Sequence, residues 1–216
     1  MAQEADPLKS DVENTQNQLN TSILAISLLA IDYENLRGII VKGRSSPLRK
    51  TVFTEISKLF KTLETQKIYP AVLDAELFGG LDFAATIETG KLCKTTGYLN
   101  KSDQIFSLTM AERFDNSLIA KLVKSIDENP RNCFLASDEG VDEESISAPL
   151  TERLAFWISL EGLGLKEQKQ IKFQTKKIQS ARSNVKEIKI SPEVLDLQTK
   201  LAIKMGVWSL RAPMLA

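Results

Sequence analysis

Apolar residues recur at sevens from Val12 through Leu19, Ile26 and Tyr33 to Ile40, with Gln16, Ile23, Ala30 and Arg37 at the alternate seam positions. A repeat of that period is the mark of a helix packed along one seam. It predicts one helix over 11–41, about 45 Å long at 1.5 Å per residue. The middle of that helix, Ile23 to Ile31, is apolar on nearly every side and needs several neighbours. It is expected either at the centre of a bundle or in a coiled coil between chains.

The rest of the chain supplies further helix signals. Ser46-Pro47 reads as a cap followed by proline at the first helical position, opening a helix to about Gln66 with Leu48, Val52, Ile56, Leu59, Phe60 and Leu63 on one stripe. Two or three short helices are expected between Ala71 and Leu92, broken at Gly79-Gly80 and Gly90. Thr109 and Glu112 resemble a capping box for a helix over 110–127. Pro149 opens an apolar helix ending at Gly162-Leu163-Gly164, Lys166 to Ile188 gives a second heptad helix on Ile171, Ile178 and Val185, and Ser191-Pro192 starts a last one to about Leu210. With no convincing run of alternating β-branched residues, the expected fold is an all-α bundle of seven to nine helices. A flexible 1–10, a helical lobe over 11–129, an acidic connecting loop over 130–149 and a second lobe over 150–216 are the expected divisions, the two lobes being able to form one domain.

Composition narrows the chemistry. Histidine is absent, which removes imidazole triads, His-containing zinc sites and imidazole-based pH switches together. The two cysteines, Cys93 and Cys133, have no CxxC partner and read as reduced thiols. No GxxxxGK[ST] marks a phosphate loop, no GxSxG marks a nucleophile elbow, and Gly162-Leu163-Gly164 is a helix terminator. The longest apolar run, Ser22 to Ile31, is about half of the roughly 20 residues a membrane span needs, and no secretory signal is evident at the start. A cytoplasmic protein without a membrane span is expected, with no cofactor, no metal site and no catalytic residue assigned.

Two charged stretches remain as candidate contacts. Between Lys166 and Lys189 seven lysines and one arginine face two carboxylates in a chain of zero net formal charge. Lys172, Phe173, Lys176, Lys177, Arg182 and Lys186 could meet a polyanion or a partner, with Phe173 as an aromatic between lysines, or could simply be a solvated face. Asp138, Glu139, Asp142, Glu143 and Glu144 form an acidic stretch whose spacing does not fit a calcium loop. It could contact the basic helix of a neighbouring copy. The reading reached from sequence is a non-enzymatic helical assembly or protein-interaction protein, self-associating or docking on a partner. The alternative is a nucleic-acid-associated structural protein binding phosphates through 166–189.

Overall fold

The computed structural model describes residues 7–206 except 142, and within that span the side chains of 7–12 and 186 lie outside the description. Asp142, the Lys186 side chain and the end of the last expected helix therefore fall outside the described residues.

The protein is α/β rather than all-α, built on a five-stranded parallel sheet. Its strands are β1 (Gly38–Lys42), β2 (Glu64–Ile68), β5 (Gln104–Leu108), β6 (Cys133–Asp138) and β7 (Phe156–Ser159), in the spatial order β2-β5-β6-β1-β7. Two short strands, β3 (Gly79–Leu81) and β4 (Lys94–Thr96), pair antiparallel in a separate ribbon. Strands from 11–129, 130–149 and 150–216 all join the main sheet.

The heptad reading fails at a definite place. Helix α1 (Pro7–Ile31) stops before Asp32, and α2 is the single turn Tyr33–Leu36. Arg37 then takes a positive φ of 63° and the chain enters β1. Gly38, Ile39, Ile40 and Val41 are all buried because β1 lies between β6 and β7 and is covered on both faces. A strand buried on both faces reads as a continuous apolar run, not as an alternation, and such a run is easily absorbed into a helical repeat. No coiled-coil seam spans 11–41, and Tyr33 and Ile40 belong to different elements.

The same error recurs elsewhere. The expected second helix is α3 (Pro47–Leu59), capped as its Ser-Pro start implies by Ser46 Oγ accepting from Arg49 N, but its expected end, 64–66, belongs to β2. The expected helix after Pro149 is one turn, α7 (Ala148–Thr151), followed by β7. The helix expected over 110–127 begins six residues late as α6 (Asn116–Glu128), because Asp115 Oδ1, 2.7 Å from Leu118 N, caps it. The basic heptad helix is also interrupted. It resolves into α8 (Leu165–Gln168), an irregular stretch over 171–174, and α9 (Thr175–Asn184), with a 3-10 turn at Val185–Glu187. The remaining helices are α4 (Asp74–Phe78) and α5 (Phe83–Thr89), which flank β3, and α10 (Pro192–Lys204).

Each face of the sheet has its own core. Ile39, Val41, Cys133 and Leu135 meet α1, α3 and α9 through Leu29, Val52, Ile56 and Ile178. Ile40, Phe106, Phe134 and Ala136 meet α6 and α7 through Leu118, Leu122 and Leu150. Fully burying one such side chain is worth about 1.5–3 kcal/mol, so the central strands anchor the loops at their ends.

Candidate functional site

In an open parallel sheet, ligands collect outside the carboxyl ends of the strands where neighbouring connections depart in opposite directions. Here that place lies between β1 and β6. The chain leaves β1 through α3 toward β2, on one face and at one edge, and leaves β6 through α7 toward β7, on the other face and at the other edge. At this crevice Gly43 N donates to Asp138 O at 2.9 Å, tying the two strand ends together. Gly43 has φ 146°, a conformation that a side chain rarely adopts.

The loop from Gly43 into α3 has the strand–turn–helix layout of a phosphate loop, but not its chemistry. A phosphate loop reads GxxxxGK[ST], its glycines freeing backbone N–H groups and its lysine reaching the phosphates. Counted from Gly43, Leu48 stands at the second glycine, Arg49 at the lysine and Lys50 at the serine or threonine. Leu48 is a buried core residue and Pro47 has no N–H to offer. Arg49 is already engaged. Its Nη1 donates to Gly43 O at 3.1 Å, and its Nη2 lies 2.6 Å from Glu139 Oε1 with both side chains largely buried.

Glu139 belongs to a wider charged network. Its backbone N–H donates to Glu112 Oε2 at 3.2 Å, and Arg113 lies 3.8 Å from Glu112 and 3.9 Å from Glu144. Glu112 has a fully buried side chain, and its Oε1 has no hydrogen-bond donor among the described residues. Asp138, the last residue of β6, is buried and accepts from Gly140 N at 2.9 Å. Of the acidic stretch, Asp138 and Glu139 are thus structural members of the crevice and Glu144 borders it, while Glu143 is exposed. The crevice is held shut by ion pairs and backbone bonds, a geometry suited to fixing strand ends in place. Among the described residues no group of three or more His, Cys, Asp or Glu could hold a metal.

A second concavity opens beside the crevice, under α3. It measures about 420 Å³ and is walled by α3 and by β2, β5 and β6. Its lining is rich in hydroxyls and includes Arg49, Lys50 and Lys67 but no carboxylate.

The basic candidates are dispersed. Phe173 lies in the stretch between α8 and α9, half-buried against the α1–α3 core, so it is not the outward-facing aromatic the heptad implied. Arg182 donates from Nε and Nη2 to Ala30 O and sits 5.7 Å from the ring centroids of both Tyr33 and Phe60. It closes the carboxyl end of α1. Lys172, Lys176 and Lys177 are exposed. Cys133 is buried in β6, where loss of solvent pushes its thiol far above the usual range, while Cys93 is partly exposed.

Gly43, Arg49, Glu112 and Arg113 were not singled out as site residues by sequence, Glu112 having been read only as half of a capping box. The signal that could have found the first two was the β-branched run Ile39–Val41, a glycine, and then a capped amphipathic helix.

Comparison with known proteins places these features. No protein-family model matches the chain. The Cereibacter sphaeroides magnesium-chelatase 60 kDa subunit is 35% identical over 193 residues, which is 89% of this chain and 34% of that protein. The Rhodobacter capsulatus magnesium-chelatase 60 kDa subunit is 28% identical over the same shares. The chain therefore spans about a third of the length of the curated relatives it matches. A crystal structure of a candidate ATPase from Cytophaga hutchinsonii superposes with a TM-score of 0.59 at 14% identity, covering 91% of this chain and 72% of that one. That likeness is one of fold, an α/β architecture. These findings overturn the expectation of a non-enzymatic helical assembly and its nucleic-acid-binding alternative. The chain resembles part of the magnesium-chelatase 60 kDa subunits and shares the fold of that candidate ATPase. No helix among the described residues is long and apolar enough to cross a membrane.

Proposed function

We propose that this chain is an AAA+-type module of a magnesium-chelatase-like enzyme, and that its own crevice is a latched relic of a phosphate loop that does not turn over ATP. The observation that carries the second part is Arg49. A phosphate-loop lysine must be free to meet the phosphates, whereas Arg49 is spent on Gly43 O and Glu139. The module acts in this reading as a positioned part of a larger assembly, since the relatives are enzyme subunits by name. Association with further subunits or copies then places ATP chemistry elsewhere in the enzyme.

Purified chain incubated with magnesium and ATP tests the crevice directly. Release of phosphate is expected to stay at the level of a protein-free blank. Turnover that saturates with ATP and falls on Glu139→Gln would show that the latch opens and that this crevice is itself the hydrolytic site.

A further inference from the structure

We propose that the cleft under α3 binds a small organic phosphate, at a site that lies beside the crevice at the strand ends and shares Arg49 with it. Both faces of a parallel sheet are normally covered by apolar packing. On the α6 side that holds, with Ile68, Phe106 and Leu108 buried. On the α3 side the outer strands β2 and β5 instead carry Thr65, Lys67 and Ser107, and with Thr109 just past β5 these line the open cleft. The alternation is that of a wet wall built into the edge of the sheet.

On this wall Ser137 Oγ is spent on Leu108 O, but the side chains from β2 and β5 are donors without partners among the described residues. Neither Lys50 nor Lys67 forms an ion pair among the described residues, and Thr65 and Ser107 have no side-chain hydrogen bond there. Lys67 stands directly across the β2–β5 ladder from Ser107, so an ammonium and a hydroxyl rise side by side from backbones about 4.8 Å apart. Lys50 reaches in from the first turn of α3 on the opposite wall. With Arg49 neutralised by Glu139, two positive charges remain and no carboxylate lines the space.

Chemistry selects the ligand. Two lysines and several hydroxyls suit an anion with three acceptor oxygens, which is a phosphate group bound by point charges. Buried Leu135 and the half-buried ring of Phe53 add an apolar floor and side, which suit a small organic body attached to that phosphate. A volume of about 420 Å³ falls in the range of small-molecule pockets.

Phenyl phosphate titrated calorimetrically into the whole chain at low salt is the test. Saturable binding is expected, about tenfold weaker in the double variant Lys50→Gln with Lys67→Gln. Lys58→Gln with Lys61→Gln removes the same charge from α3 and its end outside the cleft, and is expected to leave the affinity within about twofold. No saturable binding, or equal weakening by both double variants, would overturn the proposal, the latter because diffuse surface charge would then account for the effect. Each lysine is exposed, so these variants keep the fold, and unchanged thermal unfolding confirms it. The outcome is independent of whether the crevice hydrolyses ATP.

Discussion

Gly38→Ala is expected to destabilise the protein by about 3 kcal/mol or more, enough to lower the unfolding midpoint by roughly 6–12 °C. An added Cβ at this position would lie 2.0 Å from Phe134 O and 2.9 Å from Leu154 Cδ2. The first of these is backbone of the adjacent strand and accepts no retreat without breaking the β1–β6 ladder, where Gly38 is in register with Phe134. Differential scanning calorimetry measures it. A shift of less than 2 °C would mean that the strand ends adjust, and that β1 does not fix the crevice as firmly as the geometry implies.

Phe106→Ala is the second large effect, with an expected loss of about 3–5 kcal/mol in urea unfolding. Phe106 is fully buried at the centre of the sheet, its ring stacked on Phe134 at a centroid distance of 5.1 Å. It sits where α6 covers β5 and β6, so the cavity left behind has no flexible neighbour to fill it from solvent. Phe106→Leu is expected to recover much of the loss, because volume rather than aromatic geometry provides most of the energy. A cost below about 1 kcal/mol for the alanine variant would place this core elsewhere.

Local signals were legible where they were local in origin. Ser46-Pro47 opens α3 with the cap its pattern implies, because a cap depends on a few neighbouring residues, and Ser191-Pro192 marks the start of α10 by its proline although the Ser191 side chain makes no cap bond. The sheet was not legible for the opposite reason. Ile39-Ile40-Val41 and Cys133-Phe134-Leu135-Ala136 owe their conformation to partners far away in sequence, and burial on both faces erases the alternation by which a strand is recognised. The single turns α2 and α7, next to β1 and β7, let each strand be drawn into a longer helical pattern.

The candidate site was obscured in a related way. Asp138 and Glu139 were noticed as charge, but only the parallel pairing of β1 with β6 brings them beside Gly43. Arg49 drew no reading from the sequence. Its role as the partner of Glu139 spans ninety positions of sequence and has no periodic signature. Conversely, the conspicuous basic stretch dissolved. Arg182 is used inside the fold as a cap on Ala30 O, and Phe173 packs inward.

The central claim is that this chain is a working module of a magnesium-chelatase-like enzyme. Exchanging it for the corresponding span of the Cereibacter sphaeroides magnesium-chelatase 60 kDa subunit, and measuring the rate of magnesium chelation by the reconstituted enzyme, tests that claim most directly. Chelation within about tenfold of the parent is expected, a difference of 1.4 kcal/mol that 35% identity over this span can accommodate. A chimera that folds cooperatively and joins its assembly yet chelates no magnesium would contradict the claim.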